Sequence, residues 1–315
     1  MLFHERFKLP GEDQHDVDST WFERQKQRSV PSHDSRLRDW LSLEVDALKA
    51  FYDARINADE AALSMTDPVS VSPLPDLGGY SDDILALGNL WRLIIVALIE
   101  WPSTLTTKIF ILLDTIAKTP GNIHKGEAVA EGKPLTWADF PYFGMMWHES
   151  TGADIQPGQI HRQYSDSPLG ALQARTLYLK MKDIEAQLVA EHILPMNKVM
   201  VQRTMRTLEK NIDRSDEQTA PDEATGYDQV KLDVQIPAVS LMLKYNAREV
   251  YDRVVAKGLG DWTKRQLPDG AREFSNGDER WSFWKRRLEE LSYENSDDEV
   301  RAAARASLEY MSSGG

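Results

Sequence analysis

The chain has 315 residues, 50 acidic against 37 basic side chains, a formal net charge of -13 and no cysteine. That length holds one large domain or two smaller ones with a real hydrophobic core. The missing thiol excludes disulfides, thiolate metal sites and cysteine nucleophiles, and the acidic balance argues against a general nucleic-acid or anionic-membrane binder.

Residues 1–34 are polar and unpatterned, with aromatics only at Phe3, Phe7, Trp21 and Phe22. They are read as a flexible arm, or as an arm pinned to the body by Trp21 and Phe22. From Leu37 the pattern changes. Leu37, Trp40, Leu41, Val45, Leu48, Phe51 and Tyr52 recur mostly at three- and four-residue intervals, which gives a helix with one apolar face. Asn57 and Glu60 have capping-box spacing and open a second helix through Ala62 and Met65. The 67–80 segment carries three prolines and two glycines and is expected to be an extended connection.

Ile84–Ala117 is the most apolar stretch, but Arg92, Glu100, Pro102, Lys108 and Asp114 interrupt it. It is too broken for a membrane span and is read as two buried helices at the centre of the core, the second capped by Ser103. Asp139 is expected to cap a helical turn that tolerates Pro141 and continues through Phe143, Met146 and Trp147. Residues 150–166 read as loop, Pro168–Ile193 as a long helix with Leu172 inward, and Val199–Leu208 as another. The 212–235 segment, with seven acidic and two basic side chains, is the best internal loop. Helices follow at Pro237–Val255, at Gly277–Leu291 and after Ser296, whose partner Glu299 fits a capping box. The result is an all-α chain, an irregular multi-helix bundle of about nine or ten helices. Its main domain is expected at 35–311 and a disordered tail at 312–315.

Several of these segments resemble a known family. Leu90-Trp91-Arg92-Leu93-Ile94-Ile95, then Trp101-Pro102 and Leu112-Leu113, is similar to the N-terminal core of a fungal helical family of unknown function, the domain-of-unknown-function family three-six-three-two. Trp137-Ala138-Asp139-Phe140-Pro141 matches its Trp-x-Asp-aromatic-Pro element, and Arg280-Trp281-Ser282-Phe283-Trp284 through Leu291 its closing signature. The resemblance spans roughly residues 36–310. It departs at Gly170–Leu179, which has Leu172 and Tyr178 but not the family's tryptophan. The resemblance implies a helical fold and fungal origin, and it supplies no catalytic residues.

Nucleotide-binding glycine loops, zinc-protease helices and nucleophile elbows are all missing from the sequence. His15 and Asp18 have metal-donor chemistry but stand in the polar arm. His148 follows the apolar turn and has Asp139 as its conceivable orienting partner, because the adjacent Glu149 does not face it. Trp281, Trp284 and Leu288 share one helix face with Arg280 and Arg287 near it. This is either a flat-ligand site with guanidinium groups for an anion, or core tryptophans under arginine stems whose heads reach water. Lys285–Glu289 and Arg286–Glu290 have the spacing of helical ion pairs. Trp137, Trp147 and Trp262 are the aromatics to inspect for a cleft.

The leading expectation is a scaffold or protein-interaction module, cytoplasmic with the nucleus left open, that needs no cofactor and binds neither nucleic acid nor membrane. The alternative is a small-molecule-binding protein or unusual enzyme, with fungal secondary metabolism as the setting that the family resemblance implies. Its pocket would use Trp137, Asp139, Trp147, His148, Trp281, Trp284 and Arg287. Whether the chain is an enzyme, and its oligomeric state, are left open by the sequence.

Overall fold

The computed structural model describes residues 7–11, 14–28, 35–71, 82–120, 122–123, 135–151, 167–196, 198–209, 231–256, 274 and 276–314. Among these residues it is an irregular all-α assembly of eleven α-helices, with one two-residue antiparallel pair, Asn122–Ile123 against Leu135–Thr136. The chain divides into two compact units, Glu5–Ala153 and Asp154–Gly315. The boundary falls in the 150–166 stretch read as loop.

The first unit contains α1 (Trp21–Lys26), α2 (Ser35–Tyr52), α3 (Ala58–Val71), α4 (Asp82–Glu100), α5 (Thr106–Ala117) and α6 (Phe143–Thr151). Helix α2 packs on α3 and α4, α3 on α5, and α4 on α6. The α2 periodicity predicts its buried face: Leu37, Leu41, Val45 and Leu48 are buried, while Trp40 is half-buried. The Asn57–Glu60 box forms with both of its hydrogen bonds at 2.9 Å. Helix α4 is apolar and buried nearly all round, from Ala86 to Ile99, as a core helix should be. Ser103 opens a short 3-10 turn, Ser103–Leu105, that has no side-chain cap.

One helix boundary expected in this unit is corrected. Helix α3 does not stop before Asp67 but continues through Pro68 to Val71. Proline so near a helix end forfeits one hydrogen bond, while Met65, Thr66 and Val69 around it are buried. The arm is of the pinned kind where it is described. Phe7, Trp21 and Phe22 are buried, and the Trp21 ring meets Phe22 at 5.0 Å and Trp101 at 5.5 Å, both edge-on.

The second unit contains α7 (Pro168–Ala190), α8 (Lys198–Glu209), α9 (Leu232–Tyr251), α10 (Gly277–Glu294) and α11 (Asp298–Gly314). Helix α9 packs on α7, α8 and α11, and α10 packs on α11. Ser167 caps α7, with Pro168 at the first helical position, where its missing N–H costs nothing.

Helix α9 begins at Leu232, so 232–235 are helical rather than loop and Pro237 lies inside the helix. The rest of the expected 212–235 loop, up to residue 230, lies outside the described residues. Pro237 has no N–H for the carbonyl of Asp233, its i−4 neighbour. The Arg175 guanidinium takes that carbonyl instead, through Nε at 3.0 Å and Nη2 at 2.9 Å. Asn246 departs from helical geometry and donates to the Ala186 carbonyl at 2.8 Å, and a π turn, Asp252–Ala256, continues the helix.

Asp297, not Ser296, caps α11, accepting from the Glu299 and Val300 amides. That helix runs to Gly314, past the expected tail boundary, because its end lies against Ala247 and Arg248 of α9. Leu172, expected inward, is 56% exposed.

Candidate functional site

The candidate residues divide between the two units. Trp137, Asp139, Trp147 and His148 belong to the first, and Trp281, Trp284 and Arg287 to the second. Trp262 lies outside the described residues.

In the first unit the candidates serve a local aromatic core. Thr136 and Asp139 form a capping box around the 3-10 turn Trp137–Asp139, with the Thr136 hydroxyl 2.8 Å from Asp139 Oδ2. The Asp139 carboxylate therefore caps with Thr136 and does not open the helix after Pro141 as expected. Phe140 and Tyr142 both adopt left-handed backbone, at φ 43° and 64°. Such geometry is strained for aromatic residues and persists only where its surroundings impose it. Trp91 does so: its indole N–H donates to the intervening Pro141 carbonyl at 2.7 Å, and its ring meets Phe143 at 5.4 Å and Trp137 at 6.0 Å. Trp137 and Trp147 are fully buried, while His148 and Glu149 are exposed on the outer face of α6.

In the second unit α10 is capped by Asn276, which accepts from the Glu279 amide at 2.8 Å. Trp281, Trp284, Leu288 and Leu291 face inward, as their spacing predicts. Glu209, the last residue of α8, has no exposed side-chain surface. It accepts the Trp284 indole N–H at 2.8 Å and pairs with Arg280 Nε, also at 2.8 Å. The Arg280 head is thus buried rather than in water, against the expectation for an arginine stem laid over tryptophans. Its charge is met by Glu209, and its guanidinium lies 4.8 Å from the centre of the Phe274 ring. Burial pulls the Arg280 pKa down, and the Glu209 carboxylate opposes that shift. Arg287 pairs with Glu290 at 2.9 Å, three residues on, so Glu290 serves Arg287.

Sequence reasoning missed two buried carboxylates of the first unit. Glu100, which it read only as an interruption of an apolar stretch, accepts the Lys8 amide and the Trp21 indole N–H, both at 2.8 Å, with Arg24 at 3.8 Å. Burial raises its pKa, and those three groups pull it back. Glu100 ends α4 as Glu209 ends α8. Each places a negative charge at the negative end of a helix dipole and is offset by an indole donor and a guanidinium.

Glu44 is 1% exposed on the buried face of α2, and its Oε2 has no hydrogen-bond partner among the described residues. Burial drives its pKa well above the usual carboxylate range, against the nearby Arg28 charge. The Arg28 Nη1 and Asn89 Nδ2 atoms are also buried without partners. A signal was present: Glu44 sits three residues after Leu41 and four before Leu48, on the apolar stripe itself.

Asp18 is held well below the usual carboxylate range by hydrogen bonds from the Lys8 ammonium and from Thr20, so its charge is already spent in the arm. Among the described residues no three His, Asp or Glu side chains are grouped to hold a metal ion. Nor is any described helix long and apolar enough to cross a membrane.

One concave surface stands out in the first unit. An open groove of about 890 Å³ is lined by residues of α2 and α3 and by Thr119 and Pro120. Leu43 and Ala47 of α2 line it, with Leu63, Ser64, Asp67 and Pro68 of α3.

The family described as "protein of unknown function (DUF3632)" matches residues 91–288. No curated protein and no solved structure matches the chain.

Proposed function

We propose, from the premise that the chain belongs to the DUF3632 family, that it works as a non-catalytic helical scaffold or protein-interaction module. The observation that carries this reading is the employment of its chemistry-bearing side chains. Asp139 caps a turn, Glu100 and Glu209 hold tryptophan indoles and arginines, and Arg287 is met by Glu290. Catalytic acids and bases work from clefts where their protons can reach a substrate; these groups are engaged in a turn cap, an ion pair within one helix and contacts between helices.

Quantitative affinity capture with the tagged full chain tests the reading. A reproducible partner set is expected, and its absence across repeated captures overturns the proposal.

A second reading, a small-molecule-binding protein, draws on the indole N–H groups of Trp137 and Trp281, which are buried without acceptors among the described residues. Buried donors left unmet are costly, so a ligand or water that accepted from them would stabilise the fold. A thermal-shift screen of aromatic acids and amides separates the readings: a saturable rise in Tm that Trp137→Phe or Trp281→Phe removes would favour ligand binding.

A further inference from the structure

The groove between α2 and α3 is lined by apolar and polar side chains. Its two walls each present a leucine that core packing leaves uncovered: Leu43 is 56% exposed and Leu63 is 53% exposed. Single exposed leucines are ordinary on a protein surface, but two that line one concavity give it an apolar share. The spacing of Leu43, Ala47 and Ala50 along α2 runs that wall over two helical turns. Small residues between the leucines leave room for a partner's side chains. Thr66, also in the lining, is satisfied internally by its bond to the Ala62 carbonyl at 2.8 Å.

Among the described residues, the charge that lines the groove itself is acidic. Asp67 is its one ionisable side chain, and α3 carries Asp59, Glu60 and Asp67 with no basic residue. The nearby cations are already engaged: Lys49 and Arg55 both pair with Asp53, at 2.8 and 3.1 Å, and Lys118 pairs with Asp114.

Pro68 adds a polar feature to the α3 wall. It supplies no N–H to the Ser64 carbonyl, its i−4 neighbour. Among the described residues no side chain takes that carbonyl as Arg175 takes the Asp233 carbonyl before Pro237. The α3 wall thus combines an apolar strip, an acidic flank and a backbone acceptor that lacks its helical donor.

We propose that this groove docks an amphipathic helix of a partner protein, apolar on the face it inserts and lysine- or arginine-rich along its flanks. This rests on the scaffold reading and names its partner class. Leucine-type anchors would fill the space between Leu43 and Leu63, while the flanking cations meet Asp59, Glu60 and Asp67 and approach the Ser64 carbonyl. Apolar burial supplies the affinity, and the acidic rim selects against acidic helices.

The test uses the purified full chain and two synthetic helical peptides, one of leucine and lysine and one of leucine and glutamate, in calorimetric titrations. The lysine peptide is expected to bind and the glutamate peptide not. The double variant Leu43→Gln, Leu63→Gln changes no charge and alters only exposed side chains. It is expected to weaken binding by about tenfold or more, since each leucine buries its remaining apolar surface in the complex. Leu172→Gln, an exposed leucine of the other unit, should leave binding unchanged.

Equal binding by the double variant would reduce the interaction to surface charge and overturn the groove as the site. Binding of both peptides alike would overturn the choice of a basic partner. No binding of either peptide would overturn the proposal entirely. Concentration-dependent self-association that the double variant abolishes would assign the groove to a second copy of the chain and overturn it as well. Affinity capture distinguishes this failure from that of the scaffold reading: a reproducible partner set retained by the double variant keeps the scaffold and removes the groove.

Discussion

Glu44 places a carboxylate where α2 otherwise buries leucine and valine, and its cost depends on pH. Burial lifts its pKa well above 4.5, so the folded chain holds this proton more tightly than the unfolded chain does. Ionisation therefore opposes folding at every pH above the raised value, and the penalty fades as pH falls toward 4.5. Arg28 stays charged across this range, although burial and then Arg92 bring it down to about 10. Glu44→Gln removes the ionisation, so it should stabilise the chain by about 1–3 kcal/mol at pH 8 and by nearly nothing near pH 4.5. Urea unfolding at the two pH values, followed by circular dichroism, checks this; a variant less stable than the parent at pH 8 would contradict it. Glu209 is the opposite case, a buried carboxylate with its charge met. Arg280→Met leaves that charge uncompensated and should cost about 3–5 kcal/mol, most of it recovered when Glu209→Met is added. The double-mutant cycle in urea measures both.

Prolines and glycines set the outcome at the scale of elements. Arg175→Met should cost about 1–3 kcal/mol, because the Asp233 carbonyl loses the donor that replaces the Pro237 N–H. In a Pro237→Ala background the helix supplies that N–H itself, so the same substitution should cost clearly less. Gly277 and Gly88 predict opposite signs. A Cβ at Gly277 would stand 2.3 Å from the Val254 carbonyl oxygen, so Gly277→Ala should destabilise by about 1–3 kcal/mol. A Cβ at Gly88 meets only the Met146 side chain, Sδ at 3.5 Å and Cε at 3.7 Å, ordinary contacts for a residue inside a helix, and Gly88→Ala should stabilise by about 0.5–1 kcal/mol. Thermal melts of the two variants should shift in opposite directions. Legibility at this scale followed locality. The Asn57–Glu60 box and the α2 and α10 apolar faces depend on neighbours within one or two turns and were readable. The passage of α3 through Pro68 and of α9 through Pro237 was not, because packing and a guanidinium from another helix offset the lost bonds.

At the scale of the molecule, the net charge of -13 and the two compact units frame what the chain can do. Gly88 and Gly277 lie in different units and share no contact residue, so their effects should add within about 0.5 kcal/mol in the double variant. A larger coupling in the same melts would show that one unit's packing depends on the other's. Helical spacing identified the buried faces that carry Trp147, Trp281 and Trp284 without saying what covers them.

The sequence by itself determined the all-α class, the approximate helices, their inward faces and the chemistries that a chain without cysteine excludes. These follow from short-range periodicity and from composition. The tertiary structure alone decided what the polar side chains do. The indole of Trp21 reaches Glu100 across 79 residues, and that of Trp284 reaches Glu209 across 75. No local pattern encodes pairings at that separation, because they exist only once helices distant in the chain have packed and removed the water between them.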